Sequence, residues 1–158
     1  MLRIALGSDE RMHVTDFVEQ ELRSRGLDVQ LFGPLSDESA PSAWPAVAGE
    51  VAQAVAFGNA AEGVLFCWTG TGVSIAANKV PGVRAALCGD AETARGAKAW
   101  NQANVLCLSL RTTTEARARE ILDAWFSTAA DPGEEANVRA LNEMDQRLRG
   151  AVSAERAG

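Results

Sequence analysis

The 158-residue chain contains a single histidine, His13, no tyrosine and only three cysteines. Each scarcity excludes a kind of chemistry. With one imidazole the chain lacks the commonest zinc ligand in any number, and it lacks the commonest general base at all but one position. Cys67, Cys88 and Cys107 are odd in number and stand outside any paired spacing, which argues against a disulfide framework and against a thiolate metal site. No apolar run approaches the roughly 18 residues that cross a bilayer, and Met1-Leu2-Arg3-Ile4-Ala5-Leu6 breaks into Gly7-Ser8-Asp9 too soon for a signal peptide. The expectation is a cytoplasmic protein with no membrane partner and no metal.

Positive charge is also short. Fifteen basic side chains stand against 21 acidic ones, a net charge of -6, so phosphate backbones and anionic lipid are repelled and nucleic acid is not an expected partner. Hydrophobic residues make up 47% and charged residues 23%, the balance of an ordinary globular protein. A chain of this length buries most of its apolar surface in one core. We expect one domain over residues 1–150, followed by a flexible tail over 151–158.

What the chain does have is alternation. Short apolar runs at Arg3 to Leu6, Asp28 to Phe32, Gly63 to Phe66, Arg84 to Leu87 and Asn104 to Leu108 have the character of buried parallel strands. Between and after them, Val14 to Arg25, Pro45 to Phe57, Val73 to Asn78, Ala91 to Trp100 and Thr114 to Ser127 have helical spacing. This pattern predicts an α/β fold, a Rossmann-like three-layer αβα sandwich with a five-stranded parallel sheet. Glu134 to Arg149 adds a C-terminal helix with a narrow apolar stripe of Val138, Leu141, Met144 and Leu148, suited to packing on its own domain or on a partner subunit.

In such a sheet, ligands bind at the carboxyl ends of the strands. Gly7-Ser8-Asp9, Cys67 to Gly72, Gly89-Asp90 and Ser109 to Arg111 all fall at such ends. The strand Gly63-Val64-Leu65-Phe66 delivers Cys67 into Trp68-Thr69-Gly70-Thr71-Gly72, a turn that opens a helix near Val73. Exposed amides at a helix start favour negative charge, whether on a bound anion or on an oxyanion formed during reaction. The same field favours the thiolate of a nearby cysteine, which places Cys67 as a candidate base. The plainer alternative is a small side chain packed beneath a glycine-rich turn.

The run from Cys67 through Asn78-Lys79-Val80-Pro81-Gly82-Val83-Arg84 to Leu87 resembles the signature of the ribose-5-phosphate isomerase B and galactose-6-phosphate isomerase family. Ile4-Ala5-Leu6-Gly7-Ser8-Asp9 and Asn101-Gln102-Ala103-Asn104-Val105-Leu106 extend the resemblance to roughly residues 1–145. It implies a Rossmann-like domain that needs no cofactor and forms homodimers or homotetramers with active sites shared between subunits. The implied reaction is aldose–ketose isomerisation of a sugar or sugar phosphate, with ribose 5-phosphate and ribulose 5-phosphate as the family default. By resemblance Cys67 moves a proton between C1 and C2, and the amides of Trp68, Thr69, Gly70, Thr71 and Gly72 hold the enediolate. Thr69 assists ring opening, and Asp9 and Asn101 bind substrate hydroxyls. Without the resemblance, Asp9 and Thr69 would be turn caps, and Asn101 would anchor the start of a strand.

The chain departs from the family pattern around this site. Glu10 stands where a histidine usually follows the aspartate, and Trp100 stands at the ring-opening histidine. Gly133 and Asn137 take positions of phosphate-gripping arginines, leaving Arg111 and Arg139 as anion partners. Trp44 and Trp68 replace a tyrosine and a glycine. Three new indoles suggest a pocket rebuilt for a less anionic substrate, with Trp68 and Trp100 among the binding residues. The alternatives to the isomerase are a ligand-binding homologue without catalysis and an isomerase of an unphosphorylated or aromatic-bearing substrate.

Overall fold

The computed structural model describes residues 1–158. Five strands, β1 (Arg3–Ser8), β2 (Asp28–Phe32), β3 (Glu62–Cys67), β4 (Ala85–Leu87) and β5 (Val105–Ser109), form one parallel sheet in the order β2-β1-β3-β5-β4. Six helices accompany them: α1 (His13–Ser24), α2 (Trp44–Ala56), α3 (Thr71–Ala77), α4 (Ala91–Asn101), α5 (Glu115–Ser127) and α6 (Glu135–Ala157). This is the predicted architecture, and every predicted strand and helix has its counterpart. Short 3-10 turns at Gly33–Leu35 and Pro132–Glu134 are additions that no periodicity announced.

Side chains alternate across the sheet, and the two faces collect separate cores. Ile4, Leu6, Val64, Phe66, Leu106 and Leu108 pack against α1, α4 and α5. Ala5, Leu65, Cys67, Val105 and Cys107 pack against α2 and α3. A Cβ on Gly7 would lie 2.9 Å from methyls of Val47 and Val51, so the missing side chain lets α2 settle closely on β1 and brings the start of α2 to the carboxyl edge. At the other end of the sheet, Lys98 of α4 reaches Glu62 at the start of β3 over 2.6 Å, and the indole N–H of the fully buried Trp125 donates to the other oxygen of that carboxylate. This cluster ties the last turn of α4 to the amino ends of the strands.

The helix α6 continues to Ala157, through the stretch expected to fray, because Ala151, Ala154, Glu155 and Arg156 favour helix. Only Val138 of α6 is buried, and Leu141, Met144, Leu148 and Val152 remain 44–47% exposed. Its attachment is polar. Asp145 accepts from the Gly82 amide at 3.1 Å, and Arg149 donates to the carbonyls of Lys79 and Asn78 at 2.6 and 3.2 Å. The apolar stripe overhangs a groove of about 850 Å³ along the β4 edge, whose lining includes Arg84 and Asn101.

Candidate active site

Cys67 is the last residue of β3, 5% exposed, with its side chain on the α2–α3 face. The chain then turns through Trp68 and Thr69 to Gly70, the residue that caps α3 with φ of 75°. A side chain at Gly70 would meet Leu87 at 2.5 Å and the Leu108 backbone at 2.9 Å, so glycine is required there on both conformational and steric grounds. The first amides of a helix have no intrahelical acceptor. In this turn no backbone or side-chain acceptor of the chain takes the amides of Trp68, Thr69, Gly70, Thr71 or Gly72. The carbonyl sides of the first two peptide units are held instead. The Leu110 amide donates to the Cys67 carbonyl at 2.9 Å, and the Arg111 amide and the Ser109 hydroxyl donate to the Trp68 carbonyl at 3.0 and 2.9 Å.

Around this turn stand the other groups of the carboxyl edge. The hydroxyls of Thr69 and Thr71 are hydrogen-bonded to each other at 2.7 Å and are exposed, so Thr69 does not cap a turn. Nor does Asp9. The capping contact beside it belongs to Ser8, whose hydroxyl donates to the Glu10 carbonyl at 2.6 Å and accepts its amide at 3.2 Å. Asp9 keeps one carboxylate oxygen buried and without a partner. Arg111 is exposed at the same edge and takes part in no ion pair of the chain, whereas Arg11 is committed to Asp16 and to the Leu35 carbonyl. Trp44, at the first turn of α2, lays its ring on Gly72, where a Cβ would lie 3.1 Å away.

Burial raises the Asp9 pKa above its ordinary 3.8, and the neighbouring Glu10 adds to the rise. The ionised form is therefore less favoured in the folded chain than in the unfolded one. The resulting penalty is absent well below pH 3.8, grows as pH rises through the unfolded value, and is complete above the raised folded value. Asp9→Asn is expected to raise the thermal midpoint at pH 7 and to leave it unchanged near pH 3. Thermal denaturation of both proteins at the two pH values checks this, and a gain of equal size at both would contradict it.

The structure does not bring all the expected residues together in one chain. Trp100 and Asn101 end α4, beside Gln102 and Ala103 that lead into β5, and thus lie at the amino ends of the strands. Cys67 lies at the carboxyl end, roughly 17 Å away along β3 at about 3.3 Å per residue. Within one chain, therefore, the three indoles do not form one cluster. Trp44 and Trp68 are at the Cys67 edge, while the Trp100 ring folds back on Gly96 of its own helix. The anchoring role considered for Asn101 falls to two other asparagines. Asn104 accepts the Arg84 amide at 2.7 Å, and Asn78 accepts the Ala85 amide at 2.8 Å. Asn101 is left exposed on the α6 groove. Sequence reasoning missed the Ser109 contact and the Trp44–Gly72 contact, neither of which has a local sequence signal.

A doubly wound parallel sheet with a glycine-rich turn at the carboxyl end of its central strand is the framework of an α/β enzyme fold. The chain belongs to the ribose/galactose isomerase family, whose model matches residues 4–143. It is 36% identical over 152 residues to ribose-5-phosphate isomerase B of Escherichia coli, covering 93% of this chain and 99% of that protein. It is also 36% identical over 138 residues to D-erythrulose-4-phosphate isomerase of Pectobacterium atrosepticum, covering 84% and 88%. The solved structure of Clostridium thermocellum ribose-5-phosphate isomerase B superposes with a TM-score of 0.83 at 31% identity, over 93% of this chain and 99% of that one.

Proposed function

We propose that the chain is an aldose–ketose isomerase of a short sugar phosphate, of the ribose 5-phosphate or erythrulose 4-phosphate class named for its relatives. The observation that carries this reading is the set of unpartnered amides from Trp68 to Gly72 beside Cys67. In the aldose-to-ketose direction, the Cys67 thiolate takes the proton from C2 and the electron pair becomes the C1–C2 double bond of an enediolate. The negative charge gathers on oxygen, where preorganised amides stabilise it most. The Cys67 thiol then returns the proton to C1, while the Thr69 hydroxyl, steadied by Thr71, relays a proton between O1 and O2. Hydrogen moves within one molecule, so the reaction balances without a cofactor.

Asp9 is suited to a sugar hydroxyl through its unpartnered oxygen, and Arg111 to the phosphate as an uncommitted guanidinium. Asn101 and Trp100 reach a Cys67 site only from another copy, because one chain holds them at the far end of its sheet. The apolar stripe of α6 over an open groove supports the same arrangement, a homodimer with shared active sites. Three free cysteines, one of them the proposed base, suit the reducing cytoplasm.

The test is proton exchange at C2 in heavy water. Ribose 5-phosphate and erythrose 4-phosphate are run beside the unphosphorylated sugars. Deuterium is expected at C2 with the phosphorylated compounds. Exchange in none of the four sugars rejects the isomerase, and exchange with the free sugars alone rejects the phosphate.

A further inference from the structure

We infer that Ser109 is a positioning residue that aims the amides of the turn after Cys67. The inference rests on the isomerase reading of the site. Cys67 and Ser109 are register partners across β3 and β5. Ser109 is 8% exposed, and its hydroxyl donates to the Trp68 carbonyl at 2.9 Å while accepting the Thr112 amide at 3.2 Å. The hydroxyl is thus fixed from both sides. Its proton is aimed at Trp68, because the Thr112 N–H already occupies an acceptor direction of the oxygen.

A peptide unit is planar, and in the trans form its C=O and N–H point in opposite directions; the chain has no cis peptide. Holding the carbonyl of Trp68 therefore sets the direction of the N–H of Thr69, which belongs to the same unit. Ser109 and the Arg111 amide hold that carbonyl together, at 2.9 and 3.0 Å. The preceding unit is held in the same way, since the Leu110 amide fixes the Cys67 carbonyl and thereby the Trp68 N–H. The last residue of β5 and the two after it grip the back of the turn, and its donors face away from them. Of these three contacts only the Ser109 bond comes from a side chain, so it alone can be removed by substitution without altering the main chain.

Charge on the enediolate oxygens develops during reaction, and amides oriented beforehand avoid reorienting at that moment. Loosening the Trp68–Thr69 unit should harm the transition state more than the bound sugar. The consequence is specific: kcat falls while KM stays.

Ser109→Ala and Ser109→Cys are compared with the parent protein. The thiol is a weaker donor than the hydroxyl but similar in size, so a graded series is expected. Alanine should lower kcat about tenfold and cysteine by an intermediate factor, with KM within twofold for both. Binding of a hydroxamate analogue of the sugar phosphate, whose planar anionic head mimics the enediolate, should weaken in parallel with kcat. Binding of the corresponding sugar-alcohol phosphate should not change. Unaltered kcat in either folded variant, or a change confined to KM, overturns the assignment. So does equal weakening of the hydroxamate and the sugar alcohol. If alanine prevents folding, the cysteine variant decides on the same criteria. Absence of turnover and of hydroxamate binding in the parent protein would instead reject the isomerase itself, so the two failures are distinguishable.

Discussion

Cys67→Ala is expected to reduce kcat/KM for sugar-phosphate isomerisation about a thousandfold, the scale of a positioned general base, and to abolish C2 deuterium exchange while leaving the fold intact. The expected structural tolerance follows from packing. Cys67 is a small side chain at the end of its strand, and alanine removes a single sulfur atom from the α2–α3 core. Substrate binding should persist, because the amide turn and Arg111 are untouched. Retained turnover and exchange in this variant would remove Cys67 from the mechanism. The same variant also reports on sharing of sites. Mixed and reassembled with Asn101→Ala, it should recover about a quarter of parental activity. Half of randomly paired dimers are mixed, and each mixed dimer holds one site with both native residues. No recovery, with mixed dimers demonstrated, would mean that each chain works alone.

Gly70→Ala should destabilise the protein by about 3 kcal/mol, combining left-handed backbone strain with overpacking. The thermal midpoint should fall by roughly 10 °C for a domain of this size. The left-handed φ of 75° cannot relax without reorienting the first turn of α3, and the added methyl would press on Leu87 and on the Leu108 backbone. Leu87 can rotate, whereas the Leu108 main chain lies within β5 and cannot. Activity should be lost as well, since the amides on either side of Gly70 are those proposed to face the enediolate. Thermal denaturation together with the C2 exchange assay checks both effects. A variant with parental stability and activity would show that the turn does not require glycine.

Periodicity revealed the order of strands and helices because each buried strand is a short apolar run bounded by turn residues. It also placed Asp9, Cys67 and Arg111 on one edge, since all follow strands of the same direction. Three things were not legible. The end of a helix exposed along most of its length depends on weak propensities, so α6 runs on through Ala151 to Ala157. The fates of Trp44, Trp68 and Trp100 depend on which end of the sheet each reaches, and residue type carries no such information. The clamp at Ser109 joins residues 41 apart, and only the register of β3 on β5 makes them neighbours.

The two remaining thiols have a practical consequence. Burial pushes Cys88 up to about 12, with Asp90 adding to the rise, and burial with its cysteine neighbours drives Cys107 up further still. Neither supplies appreciable thiolate at neutral pH. Cys67 is set apart from both by its place at the root of the amide turn. A sugar phosphate seated on that turn is expected to slow alkylation of Cys67, which mass spectrometry of the labelled protein with and without the sugar phosphate checks.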